Sequence, residues 1–168
     1  MATGALMSPT SSQQGESIPG VAHLLHLKNT GAAMAPAAAT TLKDFFDDTG
    51  TSPSDYDLIV TGDLGEVGSN LLYELMNRDH IHIAENHTDC GLLIYDRKKQ
   101  DVHAGGSGCG CSGSVLCSYV LNRLRKGELK DVLFMATGAL MSPTSSQQGE
   151  SIPGVAHLLH LKNTGAAI

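Results

Sequence analysis

The chain has 168 residues, 41% of them hydrophobic and 17% charged, which suits one domain whose core buries about two-thirds of its surface. A formal net charge of −6, no tryptophan and an aromatic content of 4% exclude a nucleic-acid binder, which needs a basic face and stacking rings. No apolar run approaches the ~20 residues of a membrane span, and Met1-Ala2-Thr3-Gly4-Ala5-Leu6-Met7 lacks the basic start and apolar core of a signal peptide. A soluble intracellular protein is therefore expected.

The first feature along the chain is a duplication. Residues 1–33 are identical to residues 135–167, and the next pair, Met34 and Ile168, differs. This divides the chain into a terminal segment, 1–33, and a module, 34–168. The copied segment reads as two strands, 135–140 and 155–161. At the C-terminal copy Asp131-Val132-Leu133-Phe134 completes the first of them. A surplus strand pair invites occupation of a second sheet position, beside the strand at 57–61, or exchange between chains.

Ala35-Pro36-Ala37-Ala38-Ala39 predicts the opening of a helix, with proline tolerated in the first turn. Leu42, Phe45 and Phe46 continue it at helical spacing and Gly50 ends it, giving 35–48. Tyr56 to Thr61 is a short apolar strand of the buried parallel kind. A glycine-rich turn over 62–69 leads into a helix over 70–76. Segments 81–84 and 91–95 are apolar enough for strands. A second glycine-rich turn, 104–113, feeds a helix over 114–126 whose apolar stripe is Val115, Tyr119, Val120 and Leu124, with Cys117 also in the core. Gly127 stops it, and 131–137 is a strand again. Strands alternating with helices, and a close on two adjacent strands, predict an α/β fold. Its mixed, mostly parallel sheet has five or more strands, with packed helices and a C-terminal antiparallel strand pair.

Strand-to-helix turns rich in glycine favour anions, through free N–H groups and the helix dipole. The run Gly105-Gly106-Ser107-Gly108-Cys109-Gly110-Cys111-Ser112-Gly113 is the best such turn. Its match to the dinucleotide spacing at Gly108, Gly110 and Gly113 is expected by chance in so glycine-rich a stretch. Close helix–sheet packing explains the glycines equally well. Cys111, at the helix start, is the candidate reactive thiol, since a helix N-terminus lowers a thiol pKa; its alternative is a small buried hydrophobe. The four cysteines, three of them within nine positions, fit reduced thiols better than a disulfide framework. Asp89-Cys90 stands at a strand end, where α/β sheets place their sites. His80, His82 and His87 lack a recognised ligand spacing, so no metal is expected. No P-loop, H-E-x-x-H or G-x-S-x-G motif is present, and no cofactor is implied.

Five stretches in order carry a family resemblance. They are Gly31-Ala32-Ala33-Met34-Ala35-Pro36-Ala37-Ala38-Ala39, then Asp55-Tyr56-Asp57-Leu58-Ile59-Val60-Thr61-Gly62-Asp63-Leu64, then Asp89-Cys90-Gly91-Leu92-Leu93-Ile94-Tyr95. After these come Gly105-Gly106-Ser107-Gly108-Cys109-Gly110-Cys111-Ser112 and Ala136-Thr137-Gly138-Ala139-Leu140-Met141-Ser142-Pro143-Thr144. Together they make residues 31–161 resemble the C-terminal half of the stage V sporulation protein AD family, within the thiolase-like superfamily. The resemblance implies a thiolase-like half-module and a role in sporulation. It also implies binding of dipicolinic acid for uptake into the spore, possession of Asp89 and Cys90 as ligand-site residues, and a place beside the spore inner membrane with other products of its operon. The neighbouring turn adds Gly106, Gly108, Cys109 and Gly110 to that site.

Dipicolinate is a dianion, so Asp89 must either meet it through Ca²⁺ or orient N–H donors toward it. Gly108-Cys109-Gly110 and Thr137-Gly138-Ala139 stand where thiolases carry Gly-His-Pro and Cys-Gly-Gly-Gly, which argues against catalysis. Two alternatives remain: a thiolase-type acyltransferase using Cys111 or Cys90, and a duplicated or engineered half-fold acting only in assembly. A homo-oligomer is expected, because a lone half-module exposes an apolar face.

Overall fold

A computed structural model of the chain describes residues 30–106, 108–139 and 153–165. The N-terminal copy, and the surplus strands expected from it, lie outside the described residues. The described elements are α1 (Thr30–Thr49), a 3-10 turn (Pro53–Asp55), β1 (Leu58–Thr61), α2 (Gly65–Arg78), β2 (His87–Asp89) and α3 (Cys90–Leu93). After these come α4 (Cys111–Val115), a π-helical turn (Leu116–Val120), α5 (Leu121–Arg125), β3 (Asp131–Ala139) and β4 (Gly154–Lys162).

Helix α1 begins five residues before the expected Ala35 and holds Pro36 in its interior. An internal proline destabilises a helix by about 3 kcal/mol. Packing outweighs it: Ala32, Met34, Ala35, Ala38, Leu42 and Phe46 are all buried at helical spacing, and each large side chain contributes about 1.5–3 kcal/mol. Gly50, at φ 62°, takes the left-handed conformation that ends the helix.

The described strands form one sheet in the order β2-β1-β3-β4. β1 pairs in parallel with β2 on one side and with β3 on the other, and β4 runs antiparallel to β3 over nine residue pairs. The mixed α/β architecture with its closing antiparallel pair is as read from the sequence. Four strands are described, not five. Segment 81–84 is turn and coil, and 91–95 begins inside helix α3. β1 is paired on both sides, so no vacant position stands beside it.

Side chains alternate across this sheet and build a core on each face. On one face Ile59, Leu133 and Met135 meet Met34, Leu42 and Phe46 of α1 and Leu72 and Met76 of α2. On the other, Val60, Val132 and Phe134 meet Cys111, Val115, Val120 and Leu124. The helical run on that face starts at Cys111 rather than Ser114. Its π turn places Val120, five residues after Val115, in the stripe and leaves Tyr119 exposed. Cys117 is exposed too, not in the core.

Candidate functional site

Three parallel strands end together, and the segments that follow them meet there. β1 runs into Gly62 and Asp63, β2 ends at Asp89, and Thr137 of β3 stands beside Gly62. The approach at Gly62 is close: a Cβ there would lie 2.8 Å from the Thr137 nitrogen and 2.9 Å from its Oγ1. The Asp63 N–H donates to that same hydroxyl oxygen at 3.0 Å.

Asp89 is fully buried. Its Oδ1 accepts from the Thr61 hydroxyl at 2.7 Å and the Leu64 N–H at 2.8 Å, and its Oδ2 accepts from the N–H groups of Gly65 and Gly91, both at 2.9 Å. One carboxylate thus ties the starts of α2 and α3 to the end of β1. Burial pushes its carboxyl up from the ordinary range, and the four donors offset only part of that rise. All four hydrogen-bonding partners of the carboxylate are donors. The sequence reading offered two roles for Asp89 toward an anion. Burial and this hydrogen bonding fit the second, the orienting of N–H groups.

The hydrogen bonding continues outward. Thr61 spends its only proton on Asp89, so its oxygen accepts from Nε2–H of His87 at 3.0 Å. Nδ1 of His87 is then an acceptor, and the Tyr73 hydroxyl donates to it at 2.8 Å. Burial pushes the imidazole down to about 4, so it is neutral at physiological pH. Burial also raises the Tyr73 phenol. The chain Tyr73–His87–Thr61–Asp89 therefore runs donor to acceptor without a break.

The second glycine turn folds over this node. Gly106 N–H donates to the Gly91 carbonyl at 3.2 Å, Glu66 N–H donates to the Ala104 carbonyl at 2.8 Å, and Gly108 N–H donates to Oδ2 of Asp63 at 2.9 Å. Gly91 sits between these layers. A Cβ there would lie 2.9 Å from both Asp63 Oδ1 and the Gly106 Cα, and 3.0 Å from Asp89 Oδ2. Gly105, Gly106 and Gly108 all take positive φ, at 75°, 89° and 86°, which L side chains rarely adopt.

The predicted site residues therefore separate by depth. Asp89, Cys90 and Cys111 are buried, Gly106 is half-buried, and Gly108, Cys109 and Gly110 are exposed. Burial raises the Cys90 thiol far above its ordinary range, so it is protonated at neutral pH. Cys111 packs in the same apolar cluster as Cys90. The three histidines are scattered: His82 meets the Asn77 carboxamide oxygen at 2.7 Å, His80 sits in a turn at φ 60°, and His87 belongs to the node. Among the described residues no group of three His, Cys, Asp or Glu side chains is placed to hold a metal ion.

Thr61, Asp63, Tyr73, His87 and Thr137 complete the arrangement, and the sequence reading gave none of them a place in it. Asp63 had a local signal, being the acid inside the first glycine turn. Tyr73 and Thr137 had none.

Comparison with known proteins supplies a family. Residues 1–28 and 24–162 match the family described as Stage V sporulation protein AD (SpoVAD). A protein of Bacillus subtilis (strain 168), Stage V sporulation protein AD, is 49% identical over 137 residues, which cover 82% of this chain. The match spans 40% of that relative's length. Among the described residues no helix is long and apolar enough to cross a membrane.

Proposed function

Since the chain belongs to the stage V sporulation protein AD family, and so to the proteins of sporulation, we propose that it is a non-catalytic, thiolase-like binding module for dipicolinate, serving its uptake into the spore. The observation that carries this reading is the bracing of the exposed turn. Asp89 holds Gly91, Gly91 holds Gly106, and Asp63 holds Gly108. The N–H groups of Gly106 and Gly108 are spent on this bracing, which leaves the exposed main chain at Cys109 and Gly110 to meet a ligand. A rigid aromatic dianion is best met by main-chain donors held in advance, because little ordering remains to be done on binding. Both oxygens of Asp89 are taken by buried donors, so a Ca²⁺ brought in with the dianion would meet Asp63 rather than Asp89. The acyltransferase alternative has less support: both of its cysteines are buried, and the Cys90 thiol is pushed up by burial.

Calorimetric titration of the full chain with dipicolinate, with and without Ca²⁺, tests the reading. Binding is expected in the wild type. Asp63→Asn, which weakens the grip on Gly108, is expected to reduce affinity about ten-fold or more, as loss of a charged hydrogen bond does. No heat in the wild type under either condition would end the proposal. Steady cleavage of acetoacetyl-coenzyme A to two molecules of acetyl-coenzyme A, dependent on added coenzyme A and lost in Cys111→Ser, would establish the acyltransferase instead.

A further inference from the structure

Among the described strands β4 stands at an edge of the sheet. Its nine residues pair with β3 without a bulge, and no other described strand lies on its far side. It has no proline and only one charge, Lys162 at its end. Edges are normally protected by such devices. Val155 and Leu159, on the face away from α1, are each 52% exposed.

The orientation of its main chain follows from one hydrogen bond. Asn163 N–H donates to the Lys130 carbonyl, so odd-numbered positions of β4 point at β3. Gly154, Ala156, Leu158, His160 and Lys162 therefore present their N–H and C=O groups outward. Of these, the Ala156 carbonyl accepts from the Thr41 hydroxyl at 3.3 Å and keeps a second lone pair.

We infer that β4 pairs antiparallel with β4 of a second copy of this chain, about a two-fold axis at Leu158, joining the two sheets into one. An axis there makes the outward-pointing residues the hydrogen-bonded pairs: Leu158 with itself, Ala156 with His160, Gly154 with Lys162. The intervening pairs, where side chains approach most closely, become Val155 with Leu161 and His157 with Leu159. Both half-exposed apolar residues gain a cross-strand neighbour, and no two like charges face each other. An isologous contact of this kind closes on itself.

Sedimentation of the full chain across the micromolar range tests this. The wild type is expected to be a dimer. Ala156→Pro removes an outward N–H, and Leu159→Lys places a charge opposite His157. Each is expected to raise the dimer dissociation constant about ten-fold or more, with an unchanged circular dichroism spectrum. Leu159 is already half exposed, so the Lys variant decides the matter if the Pro variant misfolds. Ala22→Pro, the same change in the N-terminal copy, is expected to leave the dimer intact. A monomeric wild type, a dimer indifferent to the β4 variants, or a dimer abolished by Ala22→Pro would each overturn the inference. In the last case residues 1–33 would be supplying the strand.

Discussion

Two carboxylates stand at the ends of the strands, and they hold different regions. Asp89 lies beneath, sealed from water, and its four donors belong to Thr61, Leu64, Gly65 and Gly91. Asp63 lies above, half-buried, and reaches out to Gly108 of the exposed turn. A resemblance alone assigns the lower residue to the ligand. The physical difference assigns it to the scaffold and leaves the upper turn as the surface that solvent and solutes meet. Equal prominence in sequence thus conceals an unequal division between holding and touching.

The sharpest way to break this division is at the lower carboxylate. Asp89→Ala leaves several donors buried without an acceptor and is expected to destabilise the fold by about 3–5 kcal/mol in urea unfolding. Asp89→Asn, which keeps one carbonyl oxygen, is expected to lose less. A change below about 1 kcal/mol in Asp89→Ala would mean that Asp89 holds nothing together.

Gly91 joins the two regions, so Gly91→Ala tests both at once. Its Cβ would press on Asp63, Gly106 and Asp89 together, and overpacking of this sort costs about 1–3 kcal/mol. Stability and ligand affinity are expected to fall together. Affinity that survived would separate the turn from the node beneath it.

The lower region is also expected to respond to acid through His87. Its folded pKa is depressed to about 4, below an unfolded value of about 6.5, so between these the unfolded chain binds the extra proton. Stability is then present above about pH 6.5 and is lost as pH falls toward about 4, by about 1–3 kcal/mol for a partly buried side chain. The midpoint of urea unfolding across this range checks it, and His87→Gln is expected to flatten the slope. The smallest effect belongs to the upper surface. A Cβ at Gly110 meets nothing within 4 Å, so Gly110→Ala is expected to change stability by less than about 0.5 kcal/mol. Any loss it causes should appear in dipicolinate titration alone.

The sequence was most legible where local pattern and packing agree. β3 carries the continuous apolar run Val132 to Met135 that a strand buried on both faces requires, and α1 carries its apolar stripe through Leu42 and Phe46. It misled where tertiary contacts prevail over local preference. β2 is His-Thr-Asp, polar because its side chains build the node, while the more apolar 81–84 forms no strand. The π turn after Val115 shifted the stripe off Tyr119, which no count in steps of three and four residues anticipates. Within the site, the glycine turns announced themselves. The carboxylate partners did not, because Thr61 and Asp89 lie 28 residues apart and meet only through strand pairing.

The pairing of β1 with β3 bears on how the chain acquires its shape. Leu58 is matched to Val132, so the middle of the sheet is closed by a contact between distant parts of the polypeptide, whereas β3 and β4 are neighbours along it. Loop closure must precede the reward of such a contact, which slows its formation. During synthesis, α1 and β1 leave the ribosome well before the strand that covers them. Their apolar sides, Ile59 and Leu42 among them, have only each other and α2 for cover until β3 emerges. That interval is when the nascent chain is most open to aggregation and to rescue by chaperones.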